Sequence, residues 1–209
     1  MRGLLVLLLI LTMMLSGCNV SFAAPLRLLV LGDSLTAGLG LPQGETFPQQ
    51  LQAELRKQGV DVTVINGGVS GDTTAGGLAR LDWLLGDGMD MVILALGAND
   101  GLRGLDPDMT RLNLIAMVQR LLELNTKVLI AGMLAPPNLG SEYGAAFNAI
   151  FQDVAQEHRV ALYPFFLQGV AAVPELNQQD GIHPNKRGVG VMVQGMLPYL
   201  LPMLSVNRP

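Results

Sequence analysis

The chain has 209 residues, 13 basic and 17 acidic side chains and a formal net charge of −4; half of it is hydrophobic and only 14% is charged. No run of Lys or Arg exceeds two residues (Arg56-Lys57, Lys186-Arg187), so nothing points to nucleic acid as a partner. Two histidines and one cysteine without a Cys/His cluster argue against a structural zinc site, and a lone cysteine forbids an internal disulfide.

Residues 1–24 read as a signal peptide and residues 25–209 as a single domain. Arg2 supplies a minimal charged start, and residues 4–15 are apolar apart from Thr12. A bilayer span needs ~20 such residues, so this stretch is too short to cross but suits the apolar part of a leader. Two endings compete. Leu15-Ser16-Gly17-Cys18 resembles the lipobox of bacterial lipoproteins, which would lipidate Cys18 and tether the protein to a membrane. Ser21-Phe22-Ala23, or Ala24 after it, offers an ordinary small-residue cleavage site. The only cysteine stands where a lipobox needs one, which favours the first. Either ending implies an exported, periplasmic protein. The remaining roughly 185–190 residues can bury a core without metals or disulfides.

The domain alternates short apolar runs with amphipathic stretches, the pattern of a parallel sheet flanked by helices. Residues 26–31 predict a first buried strand ending at Gly32-Asp33. Phe47, Leu51 and Leu55, four apart, predict a helix over 47–58 with a stop at Gly59. Residues 60–65 alternate as a second strand, and 73–85 predict a helix with Asp72 as its N-cap and Trp83 in the core. A third strand spans 89–96. A long helix covers 106–124, with Pro107 in its first turn. A fourth strand (127–131), a helix (142–158) and a fifth strand (160–163) follow. A closing helix over 186–201 is weakened by Gly188, Gly190, Gly195 and Pro198. The expectation is one three-layer α/β/α domain with about five parallel strands, binding its ligand beyond their carboxyl ends.

The polar peculiarities fall at those ends. The first strand runs into Gly32-Asp33-Ser34-Leu35-Thr36-Ala37-Gly38, where Ser34 reads equally as an exposed nucleophile, part of a phosphate cradle, or a turn residue. The second ends in Asn66-Gly67-Gly68-Val69-Ser70-Gly71-Asp72, whose glycines permit close approach to a ligand or simply make a tight connector. The third stops at Gly97-Ala98-Asn99-Asp100, where Asn99 is a helix cap or an amide donor. Near the C-terminus, Asp180 stands three residues before His183, close enough to fold back on the imidazole and hold one tautomer. His158, at a helix end, reads as a solvated cap favoured by the dipole.

Together, Gly-Asp-Ser-Leu at 32–35, Gly67 to Asp72, Gly97 to Asp100 and Asp180-Gly181-Ile182-His183-Pro184 resemble the four sequence blocks of SGNH (GDSL-like) hydrolases. The nearest branch is that of bacterial thioesterase I, lysophospholipase L1 and arylesterase. The resemblance covers nearly the whole mature chain. It implies a flavodoxin-like α/β/α fold with Ser34 as nucleophile and His183, oriented by Asp180, as general base and then acid. The oxyanion hole would come from the backbone N–H groups of Ser34 and Gly68 and the side-chain amide of Asn99. It also implies no cofactor and no metal, and no protein partner is evident in the sequence. Substrates would be small acyl esters, aryl esters, thioesters or lysophospholipids. Apolar Leu102, Leu105, Met109 and Leu134-Ala135-Pro136-Pro137 stand where an acyl chain could lie.

Three other readings stay open. A carbohydrate O-acetylesterase fits the exported location, though few aromatic side chains are available to stack on sugars: Trp83, Tyr143, Tyr163 and Tyr199. A non-catalytic envelope lipoprotein would not need Ser34, Gly68, Asn99, Asp180 and His183 together. A phosphate-binding module would want a Lys after the first glycine loop, and there is none.

Overall fold

Two apolar runs, residues 28–31 and 91–96, are buried along their whole length, as strands covered on both faces must be. In the computed structural model, which describes residues 24–86 and 88–205, they form β1 (Leu26–Gly32) and β3 (Met91–Ala95) at the centre of a sheet. With β2 (Val62–Gly68), β4 (Lys127–Ala131) and β5 (Ala161–Tyr163) they make a parallel five-stranded sheet of order β2-β1-β3-β4-β5. The leader predicted over residues 1–24 lies outside the described residues except for Ala24.

Among the described residues seven α-helices accompany the strands: α1 (Ser34–Ala37), α2 (Phe47–Lys57), α3 (Thr74–Leu85), α4 (Ala98–Leu102), α5 (Pro107–Glu123), α6 (Ser141–His158) and α7 (Lys186–Ser205). Helix α2 presents Phe47, Leu51 and Leu55, all fully buried, and packs against α7. Helices α3, α5 and α6 pack side by side and complete the third layer. The start of α5 is fixed by Pro107 and by the Asp106 carboxylate, which accepts from the Asp108 N–H at 2.9 Å.

The structure departs from the sequence reading at several points, each for a local reason. Strand β2 begins at Val62 because the Val60 N–H closes the end of α2 on the Leu55 carbonyl. Its far end runs on through Asn66, Gly67 and Gly68, which pair with Val30, Leu31 and Gly32. Thr73, not Asp72, caps α3, accepting from the Gly76 N–H, while the Asp72 carboxylate is taken by Arg80 Nε at 2.6 Å. Trp83 is 80% exposed rather than core. It sits two residues, about 200° of helical turn, from both Leu81 and Leu85, which face inward. Helix α7 runs through its glycines to Ser205, because two of them are close-approach positions. A Cβ at Gly188 would strike the Leu176 carbonyl, and one at Gly195 the Tyr163 hydroxyl.

The strand order places the site. From β1 the chain moves to β2 on one side and then back across to β3 on the other, so the connections after β1 and β3 leave in opposite directions. A crevice opens at the carboxyl ends of these two neighbours. Ser34 follows the first and Asn99 the second.

Gly68 tests the packing at this crevice. A Cβ there would meet the Ala37 backbone nitrogen and the Thr36 hydroxyl, so strand β2 lies against α1 only because that carbon is missing. Overpacking of this kind costs about 1–3 kcal/mol, and a domain of this size loses roughly 2–4 °C of Tm per kcal/mol. Gly68→Ala is therefore expected to lower Tm by several degrees in a thermal melt. Gly144→Ala, in α6 with open space around its Cβ position, is expected to raise it slightly through helix propensity.

Candidate active site

The turn after β1 is built by Asp33. Its Oδ1 accepts from the Leu35 N–H at 3.0 Å, making it the N-cap of the one-turn helix α1, and Gly38 ends that helix in the left-handed region at φ 86°. Ser34 thus occupies the first helical position at the sheet edge, partly exposed beside a fully buried Asp33. Burial pushes the Asp33 carboxyl up to about 6, against the lowering influences of the Leu35 N–H, the His183 imidazole and the Asn99 amide.

His183 reaches this serine from 149 residues further along the chain. Asp180 folds the loop that carries it: Oδ1 accepts from the backbone N–H groups of Ile182 at 2.9 Å and His183 at 3.0 Å. Its other oxygen lies 2.7 Å from His183 Nδ1. An ionised carboxylate only accepts, so Nδ1 carries the proton and Nε2, 2.9 Å from Ser34 Oγ, accepts the serine hydroxyl. Those N–H groups and the imidazole hold Asp180 down to about 2, ionised at any working pH.

Sequence reasoning missed what holds this loop. Gln178 Nε2 donates to the Leu39 carbonyl at 2.7 Å and the Pro184 carbonyl at 3.1 Å, tying the histidine loop to the chain just beyond α1. Asn177 Nδ2 donates to the Val170 and Val173 carbonyls from a buried position. Neither residue carries a local pattern that announces it.

Asn99 arrives through Gly97, whose φ of 115° turns the chain from β3 into α4. It is the second residue of α4 rather than its cap, and its Nδ2 donates to the Asp72 carbonyl at 2.9 Å and to Asp33 Oδ2 at 3.3 Å. Its neighbour Asp100, buried, ties three helices together: it accepts from the Thr74 N–H at 2.9 Å and the Thr74 hydroxyl at 2.5 Å, and from the Thr110 hydroxyl at 3.2 Å.

The expectation for Gly68 does not hold. Its N–H donates to Asn66 Oδ1 at 2.9 Å, and its missing side chain serves the contact with α1. Gly71 lines the site instead. It has φ of 87°, its carbonyl is held by Arg103 at 2.7 Å, and its N–H has no partner among the described residues.

Ser34, Asn99, His183 and Gly71 share a cavity of about 340 Å³, walled by Leu35, Leu39, Leu102, Leu167 and Ile182. Of the apolar residues anticipated from sequence only Leu102 lines it; Leu105, Met109 and residues 134–137 do not. Leu39 and Ile182 were within reach of sequence reasoning, since each lies beside a reactive segment. Leu167 comes from the loop after β5, which nothing local links to the site. A larger hollow of about 770 Å³, lined by Leu26, Val60, Pro198 and Leu201 among others, holds no ionisable side chain among the described residues. His158 stands apart at the end of α6, its side chain 13% exposed rather than solvated, with Nε2 buried and unbonded among the described residues.

Residues 30–191 match the GDSL-like lipase/acylhydrolase family. The chain is 45% identical to an arylesterase of Vibrio mimicus over 76% of this chain and 80% of that one. It is 37% identical to the thioesterase 1/protease 1/lysophospholipase L1 of Escherichia coli K12, over 88% of this chain and 87% of that one. A crystal structure of TesA superposes with a TM-score of 0.81 at 42% identity, covering 85% of this chain and 99% of that one. On this fold, these blocks and these relatives, the chain belongs to the GDSL-like lipase/acylhydrolase family and is a carboxylic ester hydrolase.

Proposed function

We propose that the protein cleaves acyl esters, aryl esters, lysophospholipids and acyl-thioesters through an acyl-enzyme on Ser34. The observation that carries this reading is the hydrogen-bonded line from Asp180 through His183 to Ser34 Oγ, with links of 2.7 and 2.9 Å, opening into an apolar-walled cavity. Ser34 Oγ attacks the substrate carbonyl carbon while its proton passes to His183 Nε2, and Asp180 steadies the resulting imidazolium. The carbonyl oxygen becomes an oxyanion, met by the N–H groups of Ser34 and Gly71 and by Asn99 Nδ2. Collapse of the tetrahedral intermediate breaks the bond to the alcohol or thiol, which leaves with the proton from His183. Water then repeats the sequence: His183 takes its proton, the acid departs, and the proton returns to Ser34.

The aliphatic wall suits an acyl chain. Among the described residues no aromatic ring lines the cavity, which speaks against a sugar ester. Each buried methylene contributes about 0.8 kcal/mol, so kcat/KM should climb by about fourfold per carbon. Export rests on the leader read in residues 1–24, and a lipid tether on Cys18. Retention of the protein in the membrane fraction, lost on Cys18→Ala, is the expected result; wild-type protein free in the periplasm would favour cleavage near Ala24.

Purified protein is expected to label with a serine-reactive fluorophosphonate, and Ser34→Ala to stay dark; an unlabelled wild type would refute the nucleophile. In a p-nitrophenyl ester series, kcat/KM should rise from acetate to medium chains. A sharp maximum at acetate would favour the O-acetylesterase. Asn99→Ala should fold normally and lose ~10²–10³ in kcat, the usual cost of one oxyanion donor.

A further inference from the structure

An amide side chain has two ends of similar shape and opposite polarity, so something must decide which end of Asn99 faces the serine. Its Nδ2 has two acceptors, the Asp72 carbonyl at 2.9 Å and Asp33 Oδ2 at 3.3 Å. We propose that Asp33 is a positioning residue for Asn99: its carboxylate, anchored beneath the nucleophile's turn, accepts from Nδ2 and so sets the donor end of the amide toward the reacting carbonyl. This rests on the reading of Asn99 as an oxyanion donor.

Helix capping alone does not account for this carboxylate. Its Oδ1 caps α1 through the Leu35 N–H, a task that Asn or Ser performs as well. Asp33 is fully buried, where a charge is disfavoured. What the carboxylate offers beyond a cap is a second oxygen with no hydrogen. An amide flipped by 180° would set Oδ1 against both Asp33 Oδ2 and the Asp72 carbonyl, three acceptors with no proton between them. The 3.3 Å bond is the looser of the two. That hydrogen is therefore the one free to swing onto an oxyanion, while the Asp72 carbonyl keeps the other.

The surroundings set the pH behaviour. Asp33 faces His183, which favours its charge, and Asp100, which opposes it; Arg80 bridges the Gly32 carbonyl and Asp72 beside it. Burial raises its carboxyl from the ordinary 3.8 to about 6, so the folded protein takes up a proton between those values. Above about 6 the native state carries a buried charge that Asp33→Asn removes. The stability of the variant relative to the wild type should therefore rise as pH climbs from 4 to 6 and level off beyond.

Asp33→Asn keeps an oxygen for the Leu35 cap but sets an NH2 against Asn99 Nδ2; Asp33→Ser keeps the cap and removes the second acceptor. With a p-nitrophenyl ester at pH 8, each is expected to lower kcat by roughly 10–100-fold, a part of what a lost oxyanion donor costs, with KM changed less than about twofold. Placed on Asn99→Ala, either change should move kcat by less than about twofold, because the group it acts through is gone. An equal fractional loss with and without Asn99 would overturn the proposal, as would wild-type kcat in both single variants. Full activity in Asn99→Ala alone would remove the oxyanion reading and this inference with it. Were Asp33→Asn to fold poorly, the Asp33→Ser arm would decide between the same outcomes.

Discussion

The whole arrangement depends on one hydrogen bond, the 2.9 Å link between His183 Nε2 and Ser34 Oγ, whose partners lie 149 residues apart. The serine is delivered by β1, an interior strand of the sheet, and little is needed to hold it beyond the cap on α1. The histidine stands on a loop three residues before α7, and its position must be imposed. Asp180 imposes it locally, by two backbone bonds and one to the ring. Gln178 imposes it at a distance, by clamping the loop to the Leu39 carbonyl on the serine side. The meeting is possible because α7 packs against α2 and its first residue is held to the chain that follows the serine turn, Gln50 Nε2 donating to the Lys186 carbonyl and Lys186 Nζ to Glu45.

Two carboxylates flank Ser34 and are pushed in opposite directions by their settings. Asp180 is exposed, accepts from two backbone N–H groups and the imidazole, and is held near 2. Asp33 is sealed beneath α1 and driven up to about 6. The difference follows from desolvation against hydrogen bonding to the charged form. The first must be ionised to fix the tautomer that lets Nε2 take a proton. The second sits where its charge state bears on the amide across the crevice.

The strands, the long helices and the pairing of Asp180 with His183 were legible in the sequence because each carries its own local signal. Residues 28–31 are apolar without a break, Phe47, Leu51 and Leu55 keep a helical interval, and Asp180 stands one turn of loop before His183. What escaped depended on contacts between segments. Val60 reads as strand, yet its N–H is spent closing α2. Trp83 reads as core by its chemistry and is turned outward by its phase on α3. Gly68 and Gly71 are alike as letters in one glycine-rich loop. Only the approach of α1 to β2 makes the first a packing residue and leaves the second facing the cavity.

The donors around the expected oxyanion are held by bonds that need no substrate. Arg80 links the Gly32 carbonyl at 2.9 Å to Asp72, whose own carbonyl holds Asn99, so the ends of β1, β2 and β3 move as one piece. Arg103 pins the Gly71 carbonyl, and Asp100 fastens α4 to α3 and α5 through Thr74 and Thr110. Donors fixed in this way do not have to be reoriented as charge develops, and that saved reorganisation is where electrostatic stabilisation of a transition state originates. The cavity wall obeys the opposite logic. Leu39, Leu102 and Ile182 are about half exposed, and all stand on loops or at the end of a short helix. A rigid polar end facing a loosely built apolar one is what an enzyme needs to treat one carbonyl strictly and the chain attached to it with tolerance.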